Sequence, residues 1–140
     1  MPEPSGARLA TQFRVRNAET DASGAAHHGA YLTYFEVARV EALRSFGVAV
    51  AELEARGVLM PVVEARAKYL RPARADDLLE VAVRLDRVGP ASFSFEYEVL
   101  RDGLLLATGM TRMAVMDRAT GRAVPLPAWV RELLDGIAAR

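Results

Sequence analysis

Cysteine is absent from the 140 residues. That excludes a disulfide framework, a thiolate nucleophile and a zinc site built on thiolates. Histidine is nearly absent: the two present, His27 and His28, are adjacent in sequence. Neighbouring residues on a helix project about 100° apart, so this pair does not readily close on one ion, even with Asp21 or Glu19 as further ligands. No metal is expected. Excess charge is missing as well, since 18 basic residues balance 18 acidic ones and only Lys68 is a lysine. Sequence-independent nucleic-acid binding needs a cluster of Lys and Arg against phosphates, and none is visible. No apolar run is long enough to span a bilayer. The stretch Met1-Pro2-Glu3-Pro4-Ser5-Gly6 has no apolar segment behind a basic start, unlike a secretory signal. No membrane association and a reducing cytoplasm are the expectations.

What is present suits a single packed domain. Half of the residues (51%) are hydrophobic and 26% are charged, a balance that allows a core and a soluble surface. One domain over residues 1–140 is expected, with residues 1–7 as a flexible tail. Alternation over Ala10–Arg16 predicts a strand. Residues 17–27 break both periodicities and predict a loop. From His28 to Phe46 no proline intervenes, and Gly47 follows where a helix C-terminus favours glycine. Tyr31, Phe35, Ala38, Ala42 and Phe46 form one stripe of this helix, while Leu32, Tyr34, Val37, Val40 and Leu43 occupy most other sides. A helix apolar nearly all round is enclosed by protein.

After a short helix near Val50–Arg56, the pattern has period two. A strand is expected over Met60–Tyr69. Leu79, Val81, Val83 and Leu85 alternate with polar residues, as do Phe93, Phe95, Tyr97 and Val99, which predicts antiparallel strands with one buried face. Asp102-Gly103 is a hairpin turn into a strand over Leu105–Met116. Pro127–Ala139 predicts a closing helix anchored by Trp129. The order carries no βαβ alternation, so the fold class is α+β: a curved antiparallel sheet around one buried helix. Such a sheet leaves one face open, and a partner subunit is expected.

Chemistry concentrates between Ala18 and Tyr31, where a carboxylate and glycines lead into the start of the buried helix. The first backbone N–H groups of a helix lack intrahelical partners and carry partial positive charge. They suit a carbonyl oxygen that becomes negative under attack. Asp21 at the same end would remain ionised, available as a base towards water or as a nucleophile. By composition alone, a plainer account competes: Asp before a helix caps it, and glycine relieves a turn.

Glu19-Thr20-Asp21-Ala22-Ser23-Gly24, then His27-His28-Gly29-Ala30-Tyr31-Leu32 and Phe35-Glu36-Val37-Ala38-Arg39, resembles the signature of hot-dog-fold acyl-CoA thioesterases, in the 4-hydroxybenzoyl-CoA thioesterase-like branch. The likeness continues through Pro61–Ala65, Tyr69–Ala73, Asp76–Leu78 and Ala107-Thr108-Gly109, covering about residues 10–135. The resemblance implies the hot-dog fold, hydrolysis of a coenzyme A thioester, no cofactor beyond the substrate's own coenzyme A, and homodimers or homotetramers with sites at the dimer interface. It makes Asp21 the catalytic carboxylate. It places His28 at the first helical position, whose backbone N–H polarises the thioester carbonyl. Gly24, His27, Tyr31 and Glu36 fall on the substrate-binding side. The chain departs from the pattern at Asn17, where many relatives carry Tyr, at Ser23, where Met, Ala or Gly is usual, and at Pro90, where many have a basic residue. Arg71, Arg87 or Arg112 are then the candidates for the coenzyme A phosphates.

Two rivals share the fold. A hydratase or dehydratase would need the His28 ring as its acid–base group, whereas a thioesterase needs only the amide. A non-catalytic acyl-CoA-binding protein would have no use for Asp21 as a base. Glu36 and Arg39, three apart, also form a plausible helix ion pair, and Glu64 and Lys68 belong to the polar face of a strand. The thioesterase reading requires the Asp21 carboxylate and an unpaired helix-entrance amide to face one small space.

Overall fold

A computed structural model of the chain describes residues 9–139; the expected tail at residues 1–7 lies outside them. In chain order the elements are β1 (Leu9–Arg14), α1 (Ala30–Ser45), α2 (Val50–Ala55), β2 (Val58–Leu59), β3 (Val62–Tyr69), β4 (Leu78–Val88), β5 (Ser92–Arg101), β6 (Leu104–Ala114), β7 (Met116–Asp117) and α3 (Ala128–Ala138). Five strands form one sheet in the order β1-β4-β5-β6-β3, every neighbouring pair antiparallel. The short β2 and β7 pair as a separate ribbon.

Register explains the alternation. Val83, Tyr97, Gly109 and Ala67 stand side by side across four strands; Val83 and Tyr97 are buried under α1. One residue along, Arg84, Glu96, Met110 and Arg66 form the next row, on the opposite face. The charged residues of these strands therefore collect on the outer face, while the polar Thr111 stays inside, bonded to the Tyr97 hydroxyl at 2.6 Å. Asp102 and Gly103 both take positive φ, 51° and 77°, as a two-residue turn between β5 and β6 requires.

α1 lies across the inner face. Phe35 stacks on Tyr97 at 4.5 Å between ring centroids. The contact is close enough to dictate a residue type on the sheet: a Cβ added to Gly109 would sit 2.3 Å from the Phe35 ring. Full burial of Phe35, Tyr34, Phe95 and Tyr97 stabilises the fold by roughly 1.5–3 kcal/mol for each large apolar side chain. α3 adds Val130, Leu134 and Ile137 to the core, and Gly136 approaches the Phe46 ring.

Two helix expectations need correction. The helix begins at Ala30, with Gly29 as N-cap, so His28 is not its first residue. Gly29 already holds helical dihedrals (φ −71°, ψ −21°) and its carbonyl accepts from Leu32 N–H at 3.3 Å, so the helical chain direction is set at the N-cap. Nor is α1 enclosed on all sides. Leu32 is 44% exposed, Glu36 is exposed, and Val40 is only partly covered. One sheet covers one side of a helix, and Leu32, Glu36 and Val40 lie along a side that it leaves partly uncovered.

β3 is the last strand on its side of the sheet. Nearly all its residues are exposed, with Val63 at 49% and Tyr69 at 47%. No helix among the described residues is long and apolar enough to cross a membrane.

Candidate active site

The loop between β1 and α1 is held on both sides. Val15 and Asp76–Asp77 exchange backbone bonds at its base. Asn17–Glu19 forms a turn of 3-10 helix, in which the Glu19 carboxylate accepts from the Arg16 backbone at 2.8 Å and from the Arg16 side chain at 3.0 Å. The buried Tyr34 hydroxyl of α1 donates to the same carboxylate at 3.1 Å. Burial raises the Glu19 carboxyl, but these bonds outweigh it and leave it below its ordinary value. Farther on, Thr20 bridges to Ala26 and Ala25 to Arg74, while His27 N–H reaches the Glu19 carbonyl at 2.9 Å.

Asp21 occupies the tip of this small hairpin. Its N–H donates to the Ala25 carbonyl at 2.8 Å, and its own carbonyl accepts from Gly24 N–H at 3.0 Å. Gly24 closes the turn with φ +81°, a conformation that an L side chain adopts only under strain. The Asp21 Oδ1 atom accepts two bonds from Ser23, 2.5 Å from the hydroxyl and 2.9 Å from the backbone N–H. These hold the carboxyl below the usual carboxylate range, the hydroxyl contributing most; the nearby His27 adds a smaller effect. The Ala25 backbone N–H adds a further, smaller lowering effect on the same carboxylate.

At the start of α1 the peptide planes decide which way the free groups point. His27 carbonyl accepts from Ala30 N–H at 3.0 Å, so it points into the helix. The N–H of His28, on the opposite side of that same planar peptide, points away from the helix. The His28 carbonyl accepts from the Tyr69 hydroxyl at 2.7 Å, which fixes the next peptide and directs Gly29 N–H to the side opposite Tyr69. Among the described residues, neither of these two N–H groups meets an acceptor. Gly29 also gives the His27 ring room, since a Cβ there would lie 3.2 Å from it.

A cleft of about 300 Å³ opens beside this entrance, lined by Ala26, His28, Tyr31, Tyr69, Leu70, Arg71 and Pro72. Tyr31 forms its buried floor. The Tyr31 hydroxyl accepts from Ala73 N–H at 3.2 Å, its ring meets Tyr69 edge-on at 4.9 Å, and burial pushes its pKa up.

The structure thus brings His28, Tyr31 and Arg71 to one cleft and sets Gly24, Asp21 and His27 on the loop leading to it. It does not bring all the expected residues together. The Asp21 side chain is exposed within one chain and does not line the cleft. Glu36 lies along α1 at a different cavity of about 320 Å³, with Arg39, Val40, Leu43 and Phe95. Its carboxylate stands 3.8 Å from the Arg39 guanidinium, the helix pair that the spacing suggested. The rings of His27 and His28 are 6.2 Å apart and nearly perpendicular, and no three His, Asp or Glu among the described residues are grouped to hold a metal. Of the three candidate arginines, Arg71 lines the cleft, while Arg112 is engaged by Glu64 at 3.2 Å.

Sequence reasoning assigned no part to the Ser23 side chain or to the Tyr69 hydroxyl. Ser two residues after Asp is a known signal for a turn closed on the Asp side chain. The Tyr69 contact spans 41 residues and has no local signal.

Comparison with known proteins identifies the family. Residues 15–134 match the family model described as the thioesterase-like superfamily. A putative esterase of Aquifex aeolicus is 34% identical over 121 residues, covering 86% of this chain and 93% of the relative. A Haemophilus influenzae protein named as the acyl-CoA thioesterase YbgC is also 34% identical, over 84% of this chain and 88% of its own length. The crystal structure of a hypothetical protein from Thermus thermophilus superposes with a TM-score of 0.87 at 38% identity, covering 92% of this chain and 98% of that one. Curled sheet, seated helix, family model and relatives converge: the chain belongs to the thioesterase-like superfamily, with the hot-dog fold, and is a thioester hydrolase.

Proposed function

We propose that the protein hydrolyses acyl-CoA thioesters in the cytoplasm, with Asp21 as general base or nucleophile and the His28 and Gly29 amides as donors to the carbonyl oxygen. The observation that carries this reading is a carboxylate anchored through one oxygen by Ser23, on the loop leading to two backbone N–H groups without acceptors at the start of a helix. The carboxylate would supply the attack. The amides and the helix field would stabilise the negative oxygen that attack creates.

The thioester oxygen lies against those amides. Asp21 Oδ2 then takes a proton from water as the water oxygen bonds to the carbonyl carbon. Alternatively, Oδ2 itself bonds to that carbon and water later cleaves the anhydride. Either way the C–S bond breaks, the coenzyme A thiol leaves with a proton, and the acyl group departs as a carboxylic acid. Gly24, His27 and Tyr31 shape the approach, Arg71 is placed for a phosphate, and Glu36 lies farther along the helix towards the acyl end. The Haemophilus relative's name supports the substrate class.

The cleft is open within one chain, so the reading includes a second copy. The exposed edge of β3 offers an uncovered strand, and the Leu32–Glu36–Val40 stripe of α1 runs along a side that the sheet leaves partly uncovered. Pairing β3 with the β3 of another copy would add a wall beside Asp21 and give a homodimer, alone or doubled into a homotetramer. Thiol release from a panel of acyl-CoA esters tests the chemistry. Asp21→Asn should keep the fold and the association state while lowering kcat by roughly 10²–10⁴. Unchanged turnover in this variant removes Asp21 from the reaction.

A further inference from the structure

The Ser23 hydroxyl has no structural duty other than Asp21. It lies in an exposed turn, contributes nothing to the core, and spends its one proton on Asp21 Oδ1 at 2.5 Å. The turn itself does not depend on that bond. The backbone bonds Asp21 N–H to Ala25 O and Gly24 N–H to Asp21 O close it, and Ser23 N–H would still reach Oδ1 without the hydroxyl. Arg74 Nη1 fixes the chain at Ser23 from outside, donating to its carbonyl at 3.3 Å. An O–H donor to a carboxylate is among the stronger hydrogen bonds available to a side chain.

We propose that Ser23 is a positioning residue for Asp21: its hydroxyl, with its backbone N–H, anchors Oδ1 and so presents Oδ2 as the reacting oxygen. This rests on Asp21 acting in the hydrolysis as proposed above. Two donors on one oxygen restrict rotation about the carboxylate, so Oδ2 is presented in one orientation rather than exchanging with its twin. Both donors also favour the charged form over the protonated one. The charged and titratable groups facing this tip are His27 on the same loop and Arg74 from the segment before β4. Glu19, at the base of the loop, is already held by Arg16 and Tyr34. None of these replaces a neutral hydroxyl donor.

The sign follows from the ionised form being the active one. Removing the hydroxyl raises the Asp21 pKa, so the acid limb of the kcat/KM profile moves to higher pH. The experiment compares acyl-CoA hydrolysis against pH for wild type, Ser23→Ala, Ser23→Thr and Asp21→Asn. A carbon NMR titration of the Asp21 carboxyl accompanies it, because that reads the ionisation even in a variant that turns over poorly. The expected result is an upward move of both the acid limb and the NMR midpoint in Ser23→Ala. One unit of movement is roughly a tenfold loss of kcat/KM on the acid side. Ser23→Thr, which keeps the hydroxyl, should restore the wild-type limb. Superimposable titrations of wild type and Ser23→Ala, with Asp21→Asn inactive, overturn the role of Ser23 alone. A fully active Asp21→Asn overturns the catalytic reading on which it rests.

Discussion

The two ends of α1 treat their unpaired backbone groups in opposite ways. At the C-terminal end the chain satisfies itself: Gly47 N–H returns to the Arg44 carbonyl at 2.9 Å and Val48 N–H to the Leu43 carbonyl at 3.1 Å. Gly47 takes φ +80° to make that possible, a paired closure that satisfies the Leu43 and Arg44 carbonyls. At the N-terminal end no side chain caps the helix, and the His28 and Gly29 amides point outward. The first amides of the helix are thus open beside a cleft, while carbonyls of its last turn are closed by the chain that follows.

The largest effect on this contrast should come from loosening the open end without touching the amides. Tyr69→Phe removes only the hydroxyl that holds the His28 carbonyl. The peptide between His28 and Gly29 would then rotate more freely, and its N–H would lose its aim. Losing one such bond costs about 1 kcal/mol, so kcat should fall roughly fivefold to tenfold while the melting temperature changes little. A variant with wild-type kcat would detach Tyr69 from the site. Steady-state rates beside a thermal melt make the distinction.

Gly47→Ala probes the closed end and should show the reverse pattern. No atom lies within 4 Å of the added Cβ, so the penalty is that of a left-handed backbone alone, about 1–2 kcal/mol. The expected outcome is a lowered denaturation midpoint at unchanged kcat. A drop in kcat that exceeds the loss of folded protein would mean that the two ends communicate through the helix.

Much of this asymmetry was legible in the sequence, for reasons that differ by residue. Gly47 after an uninterrupted apolar run is a local signal, and so is the period-two pattern that puts Val83 and Tyr97 each on the buried face of its strand. The Asp21 loop was visible as a place where both periodicities fail. Other features depend on partners distant in the chain. Gly109 reads as a weak strand residue until Phe35 is found pressing on it. The Tyr69 clamp joins the end of β3 to a residue 41 positions earlier. The helix start differs by two residues because the His28 carbonyl bonds to the distant Tyr69 hydroxyl, a contact with no local signal. The partly uncovered stripe at Leu32, Glu36 and Val40 was read as enclosed because an apolar pattern records burial without recording whether the cover comes from the same chain.

The smallest effect is expected from His28→Ala, and its smallness is informative. The substitution deletes the imidazole and leaves the His28 N–H, its peptide plane and the Tyr69 bond to its carbonyl in place. His28 is exposed, so little packing is lost. If the site works through the amide, kcat should stay within about twofold of wild type, since an exposed side chain without bonds contributes little. A hydratase-like mechanism would route a proton through the ring, and its loss would then cost roughly 10²–10⁴ in rate. Measured as acyl-CoA hydrolysis, the result separates an open end that acts by its backbone from one that acts by a side chain. The first outcome would agree with a helix entrance at which two N–H groups stand without acceptors among the described residues.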